Sequence, residues 1–191
     1  MVLEERRKLL IDCLNDPDNR VSSAAAAALE RLEALSGLSQ IFEGLKSSSR
    51  DQRVRAIFAM EHLASKQIFP PLINLLKDPD PEIRAAAIQV LGVKAHPKCL
   101  ASLVKHLKDP DPAVRVHTAE ALGHFPDSRL VPYLTSVLSS ADEQLVVAAV
   151  RALGMIGVVE ALNPLVELLQ DQRAIVRTAA IEAFGSIPLT D

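Results

Sequence analysis

The chain has 191 residues, of which 49% are hydrophobic and 24% charged, with a formal net charge of −3; this balance excludes a disordered polyelectrolyte and a basic duplex-binding protein. Aromatic residues are 3% of the total, with no Trp and the single Tyr133. That shortage counts against an aromatic stacking platform for single-stranded nucleic acid and against an aromatic-lined ligand pocket, and it leaves Ala, Leu, Val and Ile to build the core.

The longest apolar stretches, such as Ala152 to Val159 with its two glycines, fall far short of the roughly 18 residues a membrane span requires. Met1-Val2-Leu3 runs straight into Glu4-Glu5-Arg6-Arg7-Lys8, which lacks the charge order and apolar stretch of a secretory leader. Cys13 and Cys99 stand far apart with no Cys-x-x-Cys pairing, so neither a disulfide framework nor a zinc knuckle is expected, and a reducing, cytoplasmic setting fits.

A period of 31 residues organises the whole chain. Gly92, Gly123, Gly154 and Gly185 share it, preceded by Leu91, Leu122, Leu153 and Phe184 in a column that reaches back to Met60 and Leu29. Leu10, Ile41, Leu72, Leu103, Leu134 and Leu165 form a second column, and Leu14, Leu45, Leu76, Leu107, Leu138 and Leu169 a third. Six copies account for 186 of the 191 residues, which predicts one solenoid over 1–191 rather than two globular domains. Its repeats fall at approximately 3–34, 35–65, 66–96, 97–127, 128–158 and 159–189.

Taken in chain order, repeat 1 places Arg7 on a column that later holds Leu38, Phe69, Leu100, Val131 and Leu162, and with Arg6, Lys8 and Asp12 it is expected to form a polar cap. Repeat 2 carries Ser47-Ser48-Ser49 in its turn and Gln52 on the core column. In repeat 3, Pro70-Pro71 start a first helix through Leu72 to Leu76. A second follows, with Asp80 as N-cap, Pro81 as first helical residue, Glu82 on the helix dipole, and Ile83, Ala87, Ile88 and Leu91 on one face before Gly92 stops it. Repeat 4 does the same with Asp111-Pro112, Val114, Thr118, Ala119, Leu122 and Gly123, whereas repeat 5 has Ser139-Ser140 in the turn. Repeat 6 ends soon after Gly185, so Val166, Ile175 or Ala180 is expected to be partly open, and weak end-to-end self-association or a partner is expected there. Each unit is thus a helix pair, about twelve helices in all, and no stretch alternates with the period of two that marks strands.

The runs Lys77-Asp-Pro-Asp-Pro-Glu-Ile-Arg-Ala-Ala-Ala-Ile-Gln-Val-Leu-Gly92 and Lys108-Asp-Pro-Asp-Pro-Ala-Val-Arg-Val-His-Thr-Ala-Glu-Ala-Leu-Gly123 closely resemble the short HEAT repeats of the phycobilisome lyase HEAT-like class. The tetratricopeptide and ankyrin signatures are missing. The resemblance implies an all-α fold, a right-handed α-solenoid of six 31-residue helix pairs. It also implies a ladder of hydrogen bonds between an inter-helix Asp and a later Arg: Asp78 with Arg84, Asp109 with Arg115, Asp171 with Arg177. Repeats 1 and 2 keep half a pair each, Asp16 and Arg53, which are expected to meet, and repeat 5, with Ser140 and Val146, is expected to break the ladder.

The candidate chemistry is sparse. Asp78/Asp80 and Asp109/Asp111 open helices and lack a calcium-binding loop. His117, Glu120 and His124 line one helix face, but nothing supplies further ligands; the HEAT-repeat iron enzymes of the deoxyhypusine hydroxylase family carry His-Glu dipeptides, which are missing here, so no metal or other cofactor is expected. Cys13 and Cys99 fall on apolar columns and are expected to be buried. The second helices of HEAT solenoids form the concave wall, and their outward offsets here are Val54, Val116 and Val147, then Arg55 and His117, then Phe58, Glu120 and Arg151. Exposed apolar side chains rimmed by Arg and Glu point to a protein partner, with repacking around Gln52 as the alternative for Val54 and Phe58. Phe69 and Phe184 fall on core columns. The expected function is a non-enzymatic scaffold or adaptor; a bilin lyase-like subunit is the alternative the resemblance implies, and a nucleic-acid-binding HEAT-like protein lacks its basic face.

Overall fold

The period of 31 is carried into the backbone without a slip. In the computed structural model, which describes residues 3–188, α-helices begin at residues 19, 50, 81, 112, 143 and 174, a constant step of 31. Met1-Val2 and the repeat 6 boundary at 189 lie outside the described residues. The phase is set by one turn used six times. A side-chain oxygen accepts from the backbone N–H two residues on: Asp16 from Asp18 at 2.8 Å, Ser47 from Ser49 at 3.1 Å, Asp78 from Asp80 at 3.0 Å, Asp109 from Asp111 at 3.0 Å, Ser140 from Asp142 at 3.1 Å and Asp171 from Arg173 at 2.8 Å. Such Asx and Ser turns offer the backbone a local alternative to the helix. Asp18, Asp80, Asp111 and Asp142 then cap the helix that follows.

Eleven α-helices are present among the described residues: α1 (Leu3–Cys13), α2 (Asn19–Gly44), α3 (Arg50–Ala59), α4 (Phe69–Leu75), α5 (Pro81–Lys94), α6 (Leu100–Leu103), α7 (Pro112–Gly123), α8 (Val131–Thr135), α9 (Glu143–Ile156), α10 (Leu162–Leu168) and α11 (Ala174–Ser186). One fewer than expected arises because α2 fuses the second helix of repeat 1 with the first of repeat 2. Later junctions are broken by Ala95 at φ 45° ahead of Pro97, by Pro126-Asp127 and by Gly157 at φ 66°. Glu33 to Leu35 hold the matching positions in α2, so good helix formers continue through.

The chain divides into two compact units, residues 1–56 and 57–191. In the first, α1 packs against α2 and buries no residue. Arg6, Arg7, Lys8 and Asp12 are exposed as a polar cap requires, but Leu9, Ile11 and Leu14 are exposed beside them, as is Cys13, so that Cys13 is not the core residue expected. Ala25, Leu38 and Ala56 are buried in this unit.

In the second unit, α5, α7, α9 and α11 lie side by side, each packed on the next, and α4, α6, α8 and α10 each pack on the second helix of their own repeat. Leu72, Leu103, Leu134 and Leu165 line the core between the layers with Met60, Leu91, Leu122 and Leu153. Ala87, Ala149 and Ala180 are buried, which corrects the expectation that Ala180 lies open, while Val166 and Ile175 are exposed. Thr118, on the same column, returns its hydroxyl to the Val114 carbonyl at 2.7 Å. Cys99 is buried, and its surroundings push the thiol up from its ordinary value. Phe184 departs from expectation, with 41% of its surface exposed, and Phe125 is instead a buried aromatic.

The glycine column does not stop the helices. Gly92 and Gly154 lie inside α5 and α9, and a Cβ on Gly92, Gly123 or Gly154 would stand 2.6, 3.2 or 2.9 Å from the Cβ of Ala121, Ala152 or Ala183. Glycine is there so that the next repeat's helix backbone can approach.

Candidate functional site

The Asp–Arg system ties successive repeats together. Arg84 donates from Nε to Asp109 Oδ2 at 3.0 Å and from Nη2 to Oδ1 at 2.7 Å, and its Nη1 donates to the Asp78 carbonyl at 2.9 Å. Arg115 holds its own turn in the same way, at the Asp109 carbonyl at 2.9 Å, but Ser140 stands where the next turn carboxylate would be, and its Nη2 donates instead to the helix cap Asp142, at Oδ2 and 3.2 Å. Each Arg therefore holds its own turn by the backbone and the next repeat by a carboxylate. Both cross-repeat pairs run forward along the chain. Burial pushes the Asp109 carboxyl up, but the Arg84 hydrogen bonds, the Asp111 N–H and the charges of Arg84 and His106 outweigh it and hold the group below its ordinary value.

The break expected at repeat 5 is bridged. Val146 cannot hold the Ser140 carbonyl, so Arg173 of the next repeat donates to it from Nη1 at 3.0 Å. The same guanidinium takes the Asp171 carboxylate through Nε and Nη2, both at 2.9 Å, and holds its pKa down at about 2. Arg173 thus replaces the missing arginine at position 146. Arg177 donates from Nη1 to the carbonyls of Asp171 at 2.6 Å and Gln172 at 3.0 Å. Further links come from Lys94 Nζ to the Leu63 carbonyl at 2.8 Å and from His106, whose Nε2 meets the Leu76 carbonyl at 2.8 Å and Nδ1 that of Ser102 at 3.0 Å.

The candidate binding residues distribute unevenly. Val116, Glu120, Val147 and Arg151 come together with Glu143, Gln144, Ala148 and Ile175 around a groove of about 290 Å3 across α7, α9 and α11. Val116, Val147, Ala148 and Ile175 form an apolar lining, with Glu120, Glu143, Gln144 and Arg151 as its polar part. Val147 is buried rather than exposed, because it lies in the groove wall. His117 donates from Nδ1 to Glu120 Oε2 at 3.0 Å, which orients that carboxylate. Phe58 is 37% exposed on α3 but does not line this groove, and Val54 and Arg55 belong to the first unit. Of the outward residues expected, the groove therefore contains Val116, Glu120, Val147 and Arg151. Sequence reasoning missed Glu143, Gln144 and Ala148; their offsets lie one turn before Val147 or beside it, and counting them on the α9 face would have found them. No group of three or more His, Cys, Asp or Glu side chains able to hold a metal occurs among the described residues, nor is any described helix long and apolar enough to cross a membrane.

Helix pairs stacked at a constant step, locked by forward Arg–Asp bonds and grooved across their second helices, define a helical-repeat scaffold. A family profile described as HEAT repeats matches residues 38–106 and 100–185, and the chain belongs to the HEAT-repeat family. Among solved structures, it is similar to the complex of CpcE and CpcF of phycocyanin lyase from Nostoc sp. PCC7120, at 23% identity and a TM-score of 0.69, over 78% of this chain and 64% of that one. The match therefore takes in less than two thirds of the lyase chain. A designed armadillo repeat protein in complex with the peptide (KR)4 is similar over 98% of this chain and all of that one, at 19% identity and a TM-score of 0.57. An engineered protein is similar over 96% of both chains, at 21% identity and a TM-score of 0.56. A search of curated proteins found no match.

Proposed function

We propose that the chain is a protein-interaction scaffold and that a partner protein binds along its second helices, at the groove across α7, α9 and α11. The observation that carries this reading is the convergence of Val116, Glu120, Val147 and Arg151 on one apolar-lined, charge-rimmed groove. At about 290 Å3 the groove sits at the bottom of the roughly 300–1,000 Å3 range of small-molecule pockets. It suits one inserted side chain of a partner better than an extended cofactor. An apolar floor with a charged rim is also the usual anatomy of a protein interface. Similarity to a designed repeat protein that holds a peptide, and to a complex of two lyase chains, supports protein binding in general.

The test is a pull-down with the wild-type chain and with Val116→Asp/Arg151→Glu, with helicity checked by circular dichroism. Loss of partner recovery at unchanged helicity is the expected result, and undiminished recovery would overturn the reading. Incubation with a bilin discriminates the lyase-like alternative: a new visible absorption band that Val116→Asp removes would favour chromophore handling at this groove.

A further inference from the structure

Successive second helices of the 57–191 unit meet through a glycine contact at every junction and through an arginine–acid bond at the first two, α5 to α7 and α7 to α9. A glycine receives an alanine 29 residues on, as Gly92 with Ala121, Gly123 with Ala152 and Gly154 with Ala183, and an arginine reaches an acid of the next turn, as Arg84 with Asp109 and Arg115 with Asp142. Helix α11 carries the outgoing half of both. A Cβ at Gly185 would meet nothing within 4 Å, and Arg177 bonds its own turn carbonyls through Nη1, with its charge also acting on Asp171, while Nε and Nη2 make no hydrogen bond among the described residues. Beside them Ile181 is 62% exposed and Phe184 41%. An exposed face of this composition on a repeat edge is a surface for another repeat.

The incoming half stands on the first unit. Stepping back by 31 residues from Ala121 reaches Ala28, and from Asp109 reaches Asp16. Asp16 is exposed and gives only Oδ1 to its own turn, the same bond that Asp109 makes while it also holds Arg84. Ala28 borders an open, largely apolar hollow of about 560 Å3 that Leu10, Val21 and Ala24 line together with the charged Asp18 and Arg20, and Val21 is 41% exposed.

We propose that the α11 face of one copy of this chain docks head to tail on the α1–α2 face of a second copy, with Gly185 against Ala28 and Arg177 on Asp16. The occupant is set by complementarity: the chain itself carries the alanine and the acid in the register that the open glycine and arginine require. The contact is heterologous, so each copy retains one free half and association does not stop at two. This surface is separate from the groove proposed for a partner, and the two readings fail independently.

The test is sedimentation velocity of the 191-residue chain over a wide concentration range. The expected wild-type result is a mass that rises past the dimer with concentration. Ile181→Asp, on the α11 face, and Val21→Asp, on the α1–α2 face, each remain monomeric with unchanged circular dichroism. Mixed together, they form a 1:1 pair that grows no further, because each supplies the half the other lacks. Arg177→Glu and Asp16→Lys provide a second route: each alone weakens association and the two in one chain restore it. A wild type that stays monomeric, a dimer that persists in Val21→Asp, or a mixture that does not pair would each overturn the proposal.

Discussion

Gly92 and Gly185 share one column and have opposite surroundings, so the same substitution has opposite consequences. At Gly92 an added Cβ meets Ala121 Cα at 2.8 Å, a helix backbone that cannot yield, so Gly92→Ala is expected to destabilise by about 1–3 kcal/mol. At Gly185 the space is open, and Gly185→Ala is expected to be neutral or to stabilise by up to about 1 kcal/mol through helix propensity alone. Thermal melts of the two variants check this; a Gly92→Ala protein as stable as the wild type would remove close packing as the reason for the column. The Arg84–Asp109 pair is the other sensitive point. Its side chains are 11% and 6% exposed, so Arg84→Ala leaves a nearly buried carboxylate without its cation, at a cost on the order of 3 kcal/mol. Asp109 and Asp171 both have folded values below the ordinary 3.8, Asp171 at about 2. Their contribution is therefore complete above about pH 4 and declines as pH falls below it, that of Asp171 being lost towards pH 2. Asp171→Asn is expected to flatten the acid limb of a stability–pH curve over that interval, and an unchanged limb would contradict the pairing with Arg173.

At the scale of elements, the helix starts were legible because Asp80-Pro81 and Asp111-Pro112 carry their own capping chemistry, and a period of 31 propagated it. Three features were not. Ser47 and Ser140 looked like departures from the Asp turn, yet a hydroxyl accepts the same N–H as a carboxylate and the turn survives; at the second of them Arg115 moves its cross-repeat bond to Asp142. The fusion of α2 depended on what Glu33 to Leu35 lack, a left-handed residue or a proline, and the apolar columns run through that stretch without a mark. Arg173 was also overlooked because it sits at the position where Asp18, Asp80, Asp111 and Asp142 cap their helices. Its role exists only in the fold, where the Ser140 carbonyl faces it in place of a partner from position 146. Arg173→Ala is accordingly expected to lower the denaturation midpoint clearly, whereas Arg20→Ala, at an exposed pair two residues long, is expected to leave it unchanged. Equal midpoints for the two variants would mean that the bridge to Ser140 contributes nothing.

At the scale of the whole molecule, the two units differ in how they are held. Among the described residues, the buried apolar side chains of the first are Ala25, Leu38 and Ala56, and α1 buries none, whereas α5, α7 and α9 are buried along most of their inward faces. Local opening follows the density of buried contacts. Hydrogen exchange is expected to reach the amides of α1 first and those of α5, α7 and α9 last; uniform protection would contradict this division. The candidate site was only partly legible for a related reason. Offsets on a single helix identify outward residues, but a groove is made between helices, and only stacking brings Gln144 and Ile175 beside Val116. The most direct test of binding at that groove is site-specific photocrosslinking, with a benzophenone side chain placed at Gln144 on the groove or at Lys105, exposed on the first-helix layer. The account predicts that the partner recovered with the wild-type chain is captured from position 144 and not from 105; capture from 105 alone, or equally from both, would contradict it.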